Sequence, residues 1–124
     1  MPRILVIDDN AAIRELLRLV LEDEGYEVIE AADGAEGLQR YQATPTDLVI
    51  TDLKMPGMDG LELLMALRRV VPTPALMAIS GDRDALTQAK GLTPHTFAKP
   101  LPLEQVLAAV RNLDLRHRSY DETA

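Results

Sequence analysis

The segment VITDLKMPGMDG, residues 49–60, carries an apolar run into an aspartate and then into a loop rich in proline and glycine. A short apolar run bounded by turn residues predicts a strand that is covered on both faces. Asp52 stands where this strand gives way to the loop, so its carboxylate needs a partner. Two explanations are open: Asp52 accepts hydrogen bonds from the following turn, or it is a reactive or metal-bound carboxylate. The residues at the other strand ends decide between them.

Length and composition restrict the class of protein. A chain of 124 residues is long enough for one domain with a real core, and too short for two. Its net charge of -7 argues against binding to nucleic acid or to an anionic membrane, and favours proteins and cations as partners. Cysteine is absent, which fits a reducing compartment. The four-residue apolar run near the amino terminus is too short for a leader or a membrane span, so we expect a cytoplasmic protein.

Apolar strand-like runs alternate with amphipathic helical patterns along the chain. The expected strands are residues 4–7, 26–29, 48–50, 75–79 and 96–98. The expected helices cover residues 13–21, 34–43, 60–70, 83–90 and 103–110. Strict alternation with apolar strands predicts a parallel sheet with helices on both faces, a three-layer α/β sandwich. We place the domain at residues 1–113 and expect residues 114–124, including His117, to form a frayed polar tail without a functional role.

Functional groups end four of the five expected strands. Asp8 and Asp9 follow the first, Asp52 the third, Ser80 the fourth and Lys99 the fifth. In an open parallel sheet, ligands bind at the carboxyl ends of the strands. These side chains are distant in the sequence, and we therefore expect them to meet at one edge of the folded sheet.

Clustered carboxylates repel one another unless a cation lies between them. Oxygen ligands without His or Cys select hard ions, and a few carboxylates with room for water suit Mg²⁺, with Mn²⁺ as a substitute. Simpler explanations exist for single residues: Lys99 could form a structural ion pair, and Asp8 and Asp9 could cap the first helix. Those explanations leave the convergence at one edge unexplained.

A metal ion, a lysine and a carboxylate together can handle a phosphoryl group. The cations neutralise the phosphoryl oxygens, while Asp52 can act as the nucleophile and form an acyl phosphate. The hydroxyl of Ser80 could donate to a phosphoryl oxygen. The sequence contains neither a G-x-x-x-x-G-K-[ST] loop nor a G-x-G-x-x-G after the first strand, so the phosphoryl group would arrive on another molecule.

Four motifs together resemble those of the receiver domain of two-component response regulators. They are VIDDN at 6–10, VITDLKMPGMDGLEL at 49–63, the serine-glycine pair at 80–81 and KPL at 99–101. The resemblance covers residues 3 to about 113. It implies a flavodoxin-like (βα)5 three-layer sandwich whose five-stranded parallel sheet has the order 2-1-3-4-5.

The resemblance also implies a role for each residue of the site. Asp52 would be the phosphoacceptor, taking the phosphoryl group from a sensor histidine kinase or a histidine phosphotransfer protein. Asp9 and Asp52 would ligate Mg²⁺, Asp8 would hold it mainly through water, and the backbone carbonyl of Lys54 would complete the protein ligands. Lys99 would pair with the phosphoryl group.

The expected switch elements depart from the family in one position. Ser80 would be the switch hydroxyl, and the Lys99-Pro100 bond would be cis. Many receivers have an aromatic residue three positions before this lysine, but this chain has Thr96 there. Phe97 follows, and alternation along a strand predicts that its ring points into the core on the opposite side. What replaces the aromatic switch stays open.

The resulting hypothesis is a phosphorylation-dependent signalling switch. It would catalyse its own phosphorylation and dephosphorylation and signal to an unknown downstream protein through a changed surface, with a phosphorylation-dependent homodimer as one outcome. One alternative is a receiver that belongs to a longer regulator with an output domain. A Mg²⁺-dependent phosphohydrolase is disfavoured, because Lys54 stands where such enzymes place a second acid. A receiver used only for binding is disfavoured because every charged group that the chemistry needs is present.

Overall fold

The computed structural model describes residues 1–115 and contains five strands and five helices in strict alternation. The strands are β1 (Arg3–Ile7), β2 (Glu27–Ala31), β3 (Leu48–Asp52), β4 (Ala75–Ser80) and β5 (Thr96–Ala98). The helices are α1 (Ala11–Asp23), α2 (Gly34–Ala43), α3 (Gly60–Leu67), α4 (Arg83–Ala89) and α5 (Leu103–Leu113).

All five strands pair in parallel in the order β2-β1-β3-β4-β5, which confirms the predicted fold. The central strand β3 is buried along its whole length, as its continuous apolar run predicts. The order reverses at β1, where one crossover leads outward to β2 and the next leads back past β1 to β3. The carboxyl ends of β1 and β3 therefore lie side by side at this switch point, where ligands bind in such sheets.

The sheet separates two clusters of buried apolar residues. The first core cluster joins the sheet to α2, α3 and α4, and includes Leu5, Ile7, Tyr41, Val49, Leu64 and Leu86. The second core cluster joins the opposite face to α1 and α5, and includes Ile4, Val6, Leu17, Leu21, Ile50 and Val106. Successive residues of β1 and β3 alternate between the clusters because side chains along a strand point to opposite faces. This is the predicted three-layer sandwich.

Side chains cap the first four helices. The carboxylates of Asp33, Asp59 and Asp82 each accept a backbone N–H from the first turn of the helix that follows. The amide oxygen of Asn10 does the same for α1, accepting from two backbone N–H groups. The N-cap of α1 is therefore Asn10, and neither Asp8 nor Asp9 takes the capping role that the sequence had suggested for them.

Some predicted boundaries were wrong by two or three residues. Strand β2 covers Glu27–Ala31 instead of 26–29, because Ala31 still pairs with Ile7 of β1. Helix α3 ends at Leu67 instead of residue 70. Beyond Leu67 the backbone bonds shorten to the i→i−3 pattern of a tightened last turn: the N–H of Arg69 donates to Ala66 and that of Val70 to Leu67.

The described residues end at Leu115. Leu115 lies two residues beyond residue 113, and its side chain is buried in the second core cluster. The expectations for the rest of the tail and for His117 concern residues 116–124, which lie outside the described residues. Within residues 1–115, no helix combines the length and the apolar character that crossing a bilayer requires.

Candidate functional site

Strand register brings the sequence-predicted site residues to one edge of the sheet. Ile7 of β1 pairs with Thr51 of β3, so the residues that follow each, Asp8 and Asp52, are neighbours. On the other side, β5 pairs with β4 through Ala98, which places Lys99 immediately beyond the sheet. The backbone N–H of Lys99 donates to the carbonyl of Ser80 at 2.9 Å. The convergence that the sequence predicted is therefore present.

Three carboxylates form a cluster at this edge. Asp8, Asp9 and Asp52 each offer one carboxylate oxygen, and these oxygens lie within 4.8 Å of one another. Asp8 and Asp52 are only 3% and 6% exposed, whereas Asp9 is exposed to solvent. The cluster is thus open to the solvent on one side. An oxygen-only donor set with an open side fits a hard cation that keeps part of its water shell.

The carboxylate of Asp52 is held from two directions. Its Oδ1 accepts the backbone N–H groups of Leu53 and Lys54 at 2.7 and 3.3 Å. Its Oδ2 accepts from the ammonium of Lys99 at 3.1 Å. Asp52 therefore does both things that its position suggested: it bonds the turn that follows, and it belongs to a cluster of charged groups. Its orientation is fixed before any ligand arrives.

Lys99 bridges the two buried carboxylates. Its ammonium lies 3.2 Å from Asp8 and 3.1 Å from Asp52, and its side chain is 22% exposed. Burial lowers the pKa of Lys99, but the hydrogen bond and the charge of Asp52, together with those of Asp8, raise it above its ordinary value. The two carboxylates thus favour the protonated form of Lys99. The structural ion pair considered from the sequence exists, and it lies inside the carboxylate cluster.

Burial raises the pKa of Asp8. The backbone N–H of Asn10, which donates to Asp8 at 2.8 Å, lowers this pKa, and the nearby charge of Asp52 raises it. The net rise means that the Asn10 N–H and the Lys99 ammonium do not fully offset the burial of the Asp8 carboxylate. A second cation next to Asp8 would favour its ionised form.

Ser80 lies at the neighbouring strand end and is completely buried. Its hydroxyl oxygen accepts the backbone N–H of Asp82 at 3.0 Å, so the side chain is tied to the start of α4. The hydroxyl keeps its own proton as a donor. The predicted role of Ser80 as a switch hydroxyl stays a prediction.

Two loops border the opening of the cluster. The ammonium of Lys54 lies 3.8 Å from the carboxylate of Asp82, which joins the loop after β3 to the loop after β4. Gly60 closes the first of these loops. A Cβ at Gly60 would overlap the backbone carbonyl oxygen of Asp52, so only glycine allows the chain to approach the strand end this closely.

Two predictions about the residues around Lys99 are confirmed. The Lys99-Pro100 bond is cis, as the resemblance implied; Val71-Pro72 is also cis, which the sequence did not suggest. Phe97 packs against the second core cluster, as strand alternation predicted. Thr96 is partly exposed and pairs with Ala78, so the described site contains a β-branched polar residue where many receivers have an aromatic ring.

Sequence reasoning missed Arg14. Its guanidinium donates to the backbone carbonyl of Asp8 at 2.6 Å and also contacts the carboxylate of Glu30. The available signal was an acid, Glu30, one position after the expected second strand, and an arginine within the first amphipathic helical pattern. Neither residue alone indicates a role at the site.

Comparisons with known proteins agree on one family. The family model of the response regulator receiver domain matches residues 4–111. The chain is 36% identical over 116 residues to sporulation initiation phosphotransferase F of Bacillus subtilis, and the match covers 88% of this chain and 90% of that protein. It is also 36% identical to the transcriptional regulatory protein ResD of the same organism, with 90% of this chain and 47% of ResD covered.

Solved structures give the same result. The response regulator protein TrrA from Thermotoga maritima, in complex with Mg²⁺ and BeF, superposes with a TM-score of 0.83 at 31% identity over 91% of this chain and 99% of that chain. A chemotaxis response regulator of Vibrio cholerae, CheY4, gives a TM-score of 0.82 at 29% identity, covering 91% and 98%. The chain spans about half the length of the transcriptional regulators that it matches.

Proposed function

We propose, since the chain belongs to the response regulator receiver domain family, that it is a phosphorylation-dependent signalling switch whose phosphoacceptor is Asp52. The observation that carries this proposal is the contact of one ammonium, Lys99, with two buried carboxylates at the carboxyl end of the sheet. A phosphoryl group on Asp52 would offer new anionic oxygens to the Lys99 ammonium, in place of its contact with the free Asp52 carboxylate. The charge balance of the site would then change with phosphorylation.

The residues of the site suit phosphoryl transfer to a carboxylate. A carboxylate oxygen of Asp52 would form a bond to phosphorus while the P–N bond of a phosphohistidine breaks, and the departing imidazole nitrogen would take up a proton. Backbone N–H groups of Leu53 and Lys54 orient the attacking carboxylate. Lys99 would stabilise the negative charge on the transferred oxygens.

Mg²⁺ is the proposed cofactor, and it would neutralise phosphoryl oxygens when bound. Asp9 and Asp52 would be its direct ligands, Asp8 would act mainly through water, and the backbone carbonyl of Lys54 would add a further oxygen. The close approach of the three carboxylates and the raised pKa of Asp8 support this assignment. A related response regulator, TrrA, was solved with Mg²⁺ and BeF. Substitution by Mn²⁺ stays a prediction.

The proposed partners follow from the family. Response regulator receiver domains interact with histidine kinases and phosphotransfer proteins, and we propose such a protein as the phosphodonor here. We place the exchange in the cytoplasm, whose reducing conditions fit a chain without cysteine. The downstream partner is a protein that recognises the changed surface, either separate or, as in longer transcriptional regulators, part of the same chain. Formation of a homodimer on phosphorylation is a further prediction.

The phosphohydrolase alternative finds little support in the described residues. Lys54 stands two positions after Asp52 and pairs with Asp82 across the opening, so it offers no acid at that position. The binding-only alternative does not account for a carboxylate that is oriented by two backbone N–H groups and a lysine.

Incubation with acetyl phosphate and Mg²⁺, followed by intact-mass spectrometry, tests the proposal. We expect a gain of one phosphoryl group that acid and base treatment remove in the manner of an acyl phosphate. Asp52→Asn should abolish the gain. Asp59→Asn is the matched control in the same sequence segment, because asparagine can still cap α3.

Each other outcome has a defined meaning. A phosphoryl group that persists in Asp52→Asn would refute the assignment of the phosphoacceptor. Absence of any adduct in the wild-type chain would favour the binding-only alternative, and rapid turnover of several phosphate esters would favour the hydrolase.

A further inference from the structure

Arg14, in the first turns of α1, links the metal-binding edge of the sheet to strand β2. One guanidinium nitrogen donates to the backbone carbonyl of Asp8 at 2.6 Å, and the Nε donates to Glu30 at 3.3 Å. The Arg14 side chain is only 19% exposed. A short charge-assisted hydrogen bond from a largely buried guanidinium fixes its acceptor firmly.

This bond completes the immobilisation of Asp8. The backbone N–H of Asp8 donates to Ala31, and its two carboxylate oxygens accept from Asn10 and Lys99. The carbonyl is the remaining polar group of the residue, and Arg14 holds it. The N–H, the carbonyl and both side-chain oxygens of Asp8 therefore all have partners.

The fixed carbonyl matters most for the next residue. The peptide bond between Asp8 and Asp9 is planar, so the direction of the Asp8 carbonyl sets the position of the Asp9 nitrogen and Cα. Asp9 is exposed, and the hydrogen bonds described for this edge do not include its carboxylate. Its approach to the other two carboxylates thus depends on the backbone that carries it.

Glu30 pairs with Arg14 and also with Arg18. Glu30 receives Arg14 on one carboxylate oxygen and Arg18 on the other, the latter at 2.8 Å. Arg18 stands four residues after Arg14 on α1 and also pairs with Glu22 at 3.3 Å. Arg18 shares the helix, the charge and the Glu30 partner with Arg14, but its described contacts are with glutamates alone.

We propose that Arg14 is a positioning residue for Mg²⁺, which holds the Asp8–Asp9 peptide so that the exposed Asp9 carboxylate is presented to the ion. The inference rests on the metal site of the proposed function. Arg14 does not contact the ion itself. It acts through the backbone, as outer residues around metal ligands commonly do.

The sign of the effect separates positioning from simple electrostatics. Arg14 is a cation close to a cation-binding site, so its charge by itself weakens Mg²⁺ binding. If charge were its only influence, Arg14→Gln would bind Mg²⁺ more tightly than the wild type. Positioning predicts the opposite change, a loss of about tenfold in affinity, which is typical when a residue that orients a metal ligand is removed.

The test measures the Mg²⁺ dissociation constant by isothermal titration calorimetry on the unphosphorylated full chain at fixed pH and salt. We expect Arg14→Gln to bind about tenfold more weakly than the wild type. Arg18→Gln, which removes the same charge from the same helix, should bind as tightly as the wild type or more tightly. Arg14→Lys should recover part of the affinity, because lysine keeps the charge and a hydrogen-bond donor at this position.

Circular dichroism and urea unfolding accompany the titration. A purely structural role would lower the free energy of unfolding and leave the affinity of the folded chain unchanged, which would overturn the inference, as would equal affinities for Arg14→Gln and Arg18→Gln. If Arg14→Gln does not fold, Arg14→Lys decides, since it must bind more weakly than Arg18→Gln. Failure of the wild-type chain to bind Mg²⁺ would instead overturn the metal site, and this inference with it.

Discussion

Replacing Lys99 by methionine should destabilise the metal-free domain, and Mg²⁺ should reduce the loss. Methionine keeps much of the length of the side chain but removes the ammonium that lies 3.2 and 3.1 Å from two buried carboxylates. Asp8 and Asp52 would then face each other without a cation between them. A divalent ion bound by the same carboxylates can take over the role of the lysine.

The size of the loss follows from the two contacts. A hydrogen bond between charged groups contributes about 1.5–3 kcal/mol, so two such bonds set an upper range of about 3–6 kcal/mol. The true loss is smaller for three reasons. The Lys99 side chain is 22% exposed, the variant no longer has the free-energy cost of removing an ammonium from water, and a carboxylate left without a cation can take up a proton. We expect a decrease of about 2 kcal/mol in the free energy of unfolding without metal, and less than about 1 kcal/mol in saturating Mg²⁺.

Urea unfolding at neutral pH, with EDTA or with excess Mg²⁺, measures this difference. Lys54→Met is the matched control, because Lys54 is 63% exposed and its pair with Asp82 is 3.8 Å long, so its loss should be about 0–1 kcal/mol. The cost of Lys99→Met should also shrink as the pH falls through the raised pKa of Asp8, because the protonated carboxyl no longer needs a cation beside it. If Lys99→Met costs no more than Lys54→Met in EDTA, or if Mg²⁺ leaves its cost unchanged, the electrostatic account of the cluster is wrong.

Three further predictions concern single residues of the site and its loops. Asp8→Asn should raise the free energy of unfolding in EDTA and weaken Mg²⁺ binding. The pKa of Asp8 is raised in the folded state, so the stabilising contribution of Asp8 is present below pH about 3.9 and is lost as the pH rises through the folded pKa. Gly60→Ala should lower the free energy of unfolding by more than about 3 kcal/mol or prevent folding, because the new Cβ would meet the backbone of Asp52. Gly57→Ala is the control: a Cβ there meets no atom, and only the positive φ of 76° is unfavourable for alanine, so the loss should be about 1–2 kcal/mol in the same urea titration. Asp82→Ala should destabilise the domain more at pH 7 than under acidic conditions, as measured by thermal melts. The hydrogen bond from the Ala85 N–H lowers the pKa of Asp82, and the stabilisation is lost as the pH falls through that lowered value.

The sequence was most informative where a residue's environment is set by its own strand. The apolar run of β3 predicts burial on both faces, and the parallel order then places Asp52 beside the end of β1. The same reasoning placed Lys99 at the site from the far end of the chain. These predictions needed only strand periodicity and the rule that ligands bind at carboxyl ends.

The sequence was least informative where a residue depends on a distant partner. Glu30 lies in β2, one position beyond the strand that the sequence predicted, and two arginines of α1 contact its carboxylate there. Single-sequence patterns do not reveal such pairings. The link from Arg14 to the Asp8 carbonyl is invisible for the same reason, since a backbone acceptor leaves no mark in the sequence.

The central sheet acts as a partition between the two core clusters. Leu5 and Ile7 belong to one cluster, and Ile4 and Val6, their neighbours in the same strand, belong to the other. Volume changes on opposite sides should therefore combine additively, because the altered side chains share few contacts. One layer can accumulate substitutions without compensation in the other, so the surfaces carried by α1 and α5 can diversify independently of those carried by α2, α3 and α4.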